Sequence, residues 1–225
     1  EWAEKEDIDQ EGRVFNCTYG KVDPQALKRA RAAYYGCITH IDHQIGRLLQ
    51  ALYDYDVLNN TIILFTSDHG DLLGDHNLYR KSLPYQGCIS VPFIVYDPGN
   101  ILGIQKGAVI DQVVELRDIM PSLLDFAGIE PPETVEGKSV LPLMKGGKVE
   151  WREYLHGEHC NGKKSNHFIV TENDKYIWYS QDGKEQYFKF KQDPHELCDL
   201  SQDPAYADRI AYLRQCLIRE LEGRE

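Results

Sequence analysis

Asp68 and His69 stand where an apolar, β-branched run, Ile62-Ile63-Leu64-Phe65, stops abruptly at Ser67-Asp68-His69-Gly70. A carboxylate oxygen beside an imidazole nitrogen is a pair of metal ligands. Downstream come His76, Arg80 and Lys81, which can face an anion. Oxygen and nitrogen donors beside cations fit metal-assisted chemistry on an anionic ester. Each residue also has a plainer alternative. Asp68 could cap a helix beside a surface His69, Lys81 could be a solvated side chain, and His76 could serve only to fix its own loop. Position favours chemistry. An apolar run of this length between polar flanks reads as a strand buried on both faces, as in a parallel sheet. Open α/β sheets bind ligands beyond the carboxyl ends of their strands. Asp68 and His69 would lie at such an end, with Gly70 letting the backbone turn away.

The surrounding elements must deliver that placement. Asp23-Pro24 reads as an N-cap followed by proline at the first helical position. The helix it opens carries Leu27, Ala30, Tyr34, Cys37, Ile41, Ile45, Leu48, Leu52 and Tyr55 at three- and four-residue spacing, one apolar stripe. It ends near Leu58-Asn59-Asn60, and the strand at 61–66 makes half of a βαβ unit. Residues 91–96 read as a second buried strand, 107–114 as a short strand, and 116–127 as a helix with Ile119, Leu123, Leu124 and Phe126 inward. Residues 1–22 show no periodicity and read as a loop. After Gly146-Gly147 the pattern alternates or turns aromatic at 151–159, 167–171, 175–180 and 185–190. Asn173-Asp174 and Asp182-Gly183 supply hairpin turns. Asp203-Pro204 opens a last helix through residue 221, with Ile210, Leu213, Leu217 and Leu221 on one side. The aromatics Trp178, Tyr179, Tyr187 and Phe188 read as the core of this small sheet.

A chain of 225 residues can bury a core of one or two domains. Its formal charge of -11 argues against non-specific nucleic-acid binding. The same charge means that an anion site must be made locally basic, which a bound divalent cation would help to do. No apolar run approaches the roughly 20 residues of a membrane span. Glu1-Trp2-Ala3-Glu4-Lys5 does not resemble a signal peptide, and the compartment stays open. Six cysteines without a C-x-x-C pair suggest neither a disulfide scaffold nor a zinc site.

The segment resembles the sulfatases of the alkaline phosphatase superfamily. Their pattern is a strand, then S-D-H-G-x-x-x-G-x-H, then Lys five residues on. Here it is matched by Ser67-Asp68-His69-Gly70, Gly74-Asp75-His76 and Lys81. The following aromatic-x-G-x-x-x-V-P element is matched by Tyr85-Gln86-Gly87 and Val91-Pro92. Further matches are Tyr34, Ile41-Asp42 and Ile45-Gly46-Arg47-Leu48-Leu49 upstream, and Asp118-Ile119-Met120-Pro121, Gly137-Lys138-Ser139 and Leu141-Pro142-Leu143 downstream. Asp193-Pro194-His195-Glu196 through Leu200 resembles the family's closing D-P-x-E signature.

The resemblance implies an α/β fold, part of an alkaline-phosphatase-like three-layer sandwich with a small C-terminal antiparallel sheet plus helix. Residues 1–148 would be the C-terminal part of the α/β domain and 149–225 the small subdomain. Asp68 and His69 would bind a divalent metal, Ca2+ by family analogy. Lys81 would contact the sulfate and His76 would act in catalysis. His156 and His159 would contact substrate. His40 and His43 read as helix-surface residues, and Asp71 and Asp75 as solvated loop acids. The family's nucleophile, a formylglycine made from Cys or Ser in C-x-P-x-R or S-x-P-x-R, has no match. No Cys has Pro two residues on, and Ser82-Leu83-Pro84 is followed by Gln86 where Arg is needed. The chain thus resembles the C-terminal portion of a sulfuric ester hydrolase, expected to be inactive alone and to pack against an N-terminal half that supplies nucleophile and remaining ligands. The implied substrate is a small-molecule or carbohydrate sulfate ester. A phosphodiesterase or phosphatase of the same superfamily and a non-catalytic metal-binding module are the alternatives.

Overall fold

The computed structural model describes residues 20–160 and 165–223. Cys17 and most of the loop expected at 1–22 lie outside them. Helix α1 (Pro24–Asp54) begins as the sequence predicts, with the Asp23 carboxylate accepting from the Ala26 N–H at 2.8 Å. Its stripe is not buried. Ile41 is 52% and Leu48 is 56% exposed, because no element among the described residues covers that face.

Strand β1 (Ile63–Thr66) pairs with β2 (Phe93–Tyr96), and the pairing is antiparallel rather than the expected parallel. The intervening loop and the short helix α2 (Gln86–Ile89) return the chain in the opposite direction. One face of the pair, Leu64, Phe93 and Val95, packs with Leu102, Phe126, Val140 and Leu141. The other face leaves Phe65, Ile94 and Tyr96 exposed. Residues 107–114 form no strand, since among the described residues no neighbouring strand runs beside them to complete a ladder.

A 3-10 turn (Leu116–Asp118) leads into α3 (Ile119–Phe126), with Phe126 inside and Leu123 exposed rather than inward. Asp118 is wholly buried. It accepts the Glu115 and Lys138 N–H groups and a two-pronged contact from Arg152, both prongs at 2.7 Å. One carboxylate therefore joins three stretches of chain, including the lead into the C-terminal sheet. Helix α4 (Leu141–Met144) adds to the core beneath β1 and β2.

The C-terminal sheet is a meander of β3 (Leu155–His159), β4 (Asn166–Val170), β5 (Asp174–Tyr179) and β6 (Glu185–Lys189). Alternation gives it two apolar faces. Ile169, Tyr176 and Tyr187 meet Ile210, Leu213, Cys216 and Leu217 of α5 (Ala207–Glu222). Ile177 and Phe188, on the reverse face, meet Leu72, Leu78, Tyr85 and Cys88. The loop that follows Asp68 and His69 is thus built onto this sheet. Asp174 fastens α5: burial pushes its carboxyl up, but hydrogen bonds from Arg209, Thr171 and Tyr187 outweigh this and hold it below its ordinary value.

Candidate metal and anion site

Just past β1, the Ser67 hydroxyl donates to the His69 carbonyl at 2.9 Å and closes a tight turn. That turn presents Asp68, whose side chain is 82% exposed. The His69 N–H, 3.0 Å away, holds the Asp68 carboxyl below its ordinary value. The Nδ1 atom of His69 lies 2.8 Å from the Gly70 carbonyl oxygen. A carbonyl can only accept, so Nδ1 carries the proton and Nε2 keeps its lone pair. That Nε2 stands 3.4 Å from Asp68 Oδ2 and accepts from the Lys81 ammonium at 2.7 Å.

The pair fits a metal. Backbone capture of one ring nitrogen is how ligating histidines are oriented. A 3.4 Å separation suits two donors sharing one cation at about 2.0–2.5 Å each. One oxygen and one nitrogen fill only part of such a shell.

Gly70 is required for a different reason from the expected turn. Its φ is not left-handed, but a Cβ there would fall 2.1 Å from the Gly87 carbonyl oxygen. The backbones of the 67–70 turn and α2 touch, joined by the Gly70 N–H to the Cys88 carbonyl at 2.7 Å. Asp71 and Asp75 are not simply solvated. Asp71 Oδ1 accepts from the Leu73 and Arg80 N–H groups, closing the loop, and Asp75 pairs with Arg31 of α1 at 2.9 Å.

Two residues outside the predicted site hold this loop from below. Lys175 and Glu196 are almost fully buried and form an ion pair. Lys175 also donates to the Pro84 carbonyl, and Glu196 Oε2 accepts the Gln86 N–H at 2.7 Å. Burial lowers the Lys175 pKa, against the pull of Glu196. Glu196 had a signal in the D-P-x-E signature; Lys175, inside an aromatic strand, had none.

A cavity of about 860 Å³ opens over the turn, lined by Asp68, His69, Lys81, Ser82, His156 and His159 among others. His76 does not line it. Its ring packs 4.8 Å from that of Tyr85, and burial lowers its pKa. The backbone at His76 is left-handed, φ 57°, within the turn that returns the loop. His156 and His159 both belong to edge strand β3, but pleating sends them to opposite faces. His159 shares a face with Asn166 and Phe168. Its Nε2 is buried with no hydrogen-bond partner among the described residues. His156 turns to the other face, where its ring stacks 5.5 Å from His167. Exposed His40 and His43 keep to the surface of α1.

Known proteins resemble this chain in sequence and in fold. The family model described as Sulfatase matches residues 3–129, and that described as N-sulphoglucosamine sulphohydrolase, C-terminal, matches 74–222. An arylsulfatase of Clostridium perfringens (strain 13 / Type A) is 58% identical over the whole chain, which covers 47% of that relative. A putative sulfatase from Bacteroides thetaiotaomicron superposes with a TM-score of 0.80 at 27% identity, over 90% of this chain and 44% of that one. The phosphonate monoester hydrolase of Agrobacterium radiobacter gives 0.76 at 29%, over 88% and 42%. The chain spans less than half the length of the curated relatives it matches. With the Sulfatase model covering more than half of its residues and solved sulfatases sharing its fold, the chain belongs to the sulfatase family.

Proposed function

We propose that the protein carrying this chain hydrolyses a sulfate monoester, with Asp68 and His69 as two ligands of a divalent metal and Lys81 as the group that meets the sulfate. The supporting observation is the convergence of Asp68 Oδ2, His69 Nε2 and Lys81 Nζ at one cavity wall, with His69 locked in the tautomer that leaves Nε2 available. Sulfatases work with a divalent metal and a formylglycine. The metal we assign is Ca2+, which would supply Lewis-acid activation at the ester. Lys81 donates to His69 Nε2; with that lone pair committed to a metal, the ammonium would be left to meet an anionic ester. A fixed cation at the developing negative charge is the strongest contribution such a chain can make.

In this reading His159, which shares a strand face with Asn166 and Phe168 in the cavity wall, offers the substrate contact rather than His156. The cavity has room for a small aryl or sugar sulfate, within the usual size of ligand sites. His76 holds the loop that carries Lys81. Residues 1–148 bring the metal and sulfate groups, and 149–225 shape the mouth. The nucleophile and remaining metal ligands come from an N-terminal half, whose partner surface would be the exposed apolar faces of α1 and of the β1–β2 pair.

The test is turnover of aryl sulfate and aryl phosphonate by the full-length protein and its Lys81→Ala variant. The expected outcome is sulfate turnover that falls about 100-fold or more in the variant. Preferential cleavage of the phosphonate would move the assignment to a phosphoryl hydrolase of the same superfamily, the reading kept open by the Agrobacterium neighbour.

A further inference from the structure

We propose a second metal site, on His156, Glu158 and His167, taking a divalent transition ion of the zinc class. Glu158 and His167 are paired directly across β3 and β4, and His156 lies two residues along β3 on the same face. His156 Nε2 stands 3.3 Å from His167 Nδ1, and His167 Nδ1 stands 3.5 Å from Glu158 Oε2. One ligand atom from each of the three lies within 4.8 Å of the others. Ligands about 2.0–2.1 Å from a tetrahedral ion are about 3.3–3.4 Å apart, so two edges of such a tetrahedron already exist.

The chemistry of the set chooses the ion. Two imidazoles to one carboxylate make a nitrogen-majority set that suits zinc and its neighbours, whereas calcium takes a shell made mostly of oxygens. An anion is disfavoured, because Glu158 places a negative charge among the donors. The exposed Glu158 leaves solvent access for a fourth ligand. Trp178 stacks on His167 at 5.7 Å, an indole that backs one ring and offers no competing acceptor.

The site's three side chains stand on the opposite face of the sheet from His159 and Phe168, although His156 and Glu158 also border the cavity over Asp68 and His69. Its effect would be positional. Among the described residues β3 is an edge strand, held on one side only. An ion bridging β3 to β4 would pin the strand whose opposite face carries Gly157 and His159 into the cavity wall. Gly157 already packs without clearance there, since a Cβ would fall 2.1 Å from the Phe168 ring.

The experiment is titration of Zn2+ into chelator-stripped full-length protein carrying Asp68→Asn and His69→Ala, which removes the other site. Calorimetry gives the stoichiometry, and Co2+ substitution gives the visible spectrum of a tetrahedral site. The expected result is one equivalent bound, an upward shift of Tm in excess Zn2+, and at least a tenfold loss of affinity in His167→Gln and in Glu158→Gln. Metal-free Tm and circular dichroism of these variants are the folding control, and Glu158→Gln keeps the stacked rings in place. Absence of binding in the parent overturns the proposal. So does an unchanged isotherm in both variants. Neither result depends on turnover, so the sulfate-ester reading stands or falls separately.

Discussion

At the scale of single residues, the chain places its charges by geometry rather than by number. Asp68 and His69, the proposed ligands, face solvent, whereas Lys175 and Glu196 are a buried pair that hold up the loop above them. Removing one member of a buried pair leaves the other charge unpaired, which costs about 3–5 kcal/mol. We therefore expect Lys175→Met to destabilise by that amount in urea unfolding. The double variant Lys175→Met, Glu196→Leu should recover much of the loss. Equal losses in single and double variants would show that the pair does not couple. Asp68→Asn should abolish Ca2+ binding by the full-length protein, read by calorimetry, while leaving Tm without metal near that of the parent. Among the described residues its carboxylate has no hydrogen-bond partner beyond its own turn.

At the scale of elements, α5 is fastened to the sheet by Asp174, and that fastening depends on pH. Its folded pKa lies below the ordinary value of 3.8. The stabilisation is therefore complete above 3.8 and is lost as pH falls through the lower, folded value. Wild-type protein should unfold more steeply with acid than Asp174→Asn, and the gap between them in thermal unfolding should close below that window. A gap that persists unchanged into strong acid would exclude the carboxylate as its source. Gly70 makes the contact between the metal-ligand turn and α2. Gly70→Ala must displace the Gly87 carbonyl, at a cost of about 1–3 kcal/mol, the range for overpacking. It should also weaken metal binding, since Asp68 and His69 ride on the same turn. Loss of stability with unchanged metal affinity would separate the two.

At the scale of the whole molecule, the apolar faces are unequal. The C-terminal sheet is covered on both sides, by α5 and by the 70–90 loop. The stripe of α1 and the outer face of β1–β2 are open among the described residues, and no helix there is long and apolar enough to cross a membrane. An exposed apolar stripe at regular helical spacing marks a surface that another element covers. Ile41→Lys should thus change the stability of the 225-residue chain by less than about 0.5 kcal/mol, as a surface substitution does. In the full-length protein it should cost about 2 kcal/mol or more, the scale of an apolar side chain lost from a core. Equal small effects in both would remove α1 from the interface with the N-terminal half.

The sequence by itself determined what is local. Asp23-Pro24 set the start of α1, alternation and turn residues set the four-stranded meander, and the spacing of Ser67 to Lys81 located the site and its family. These follow from neighbours a few residues apart, whose side-chain directions are set by backbone period. Tertiary structure decided what depends on distant segments. It paired β1 with β2 antiparallel, since an apolar run does not state its partner's direction. It left 107–114 without a ladder. It packed His76 against Tyr85, and it turned His156 and His159 to opposite faces of one edge strand. It also chose Lys175 and Glu196, whose role exists only because the Pro84 to Gln86 segment passes over them. A buried charge is recognisable in a sequence only when its partner is known, and that partner is named by the fold.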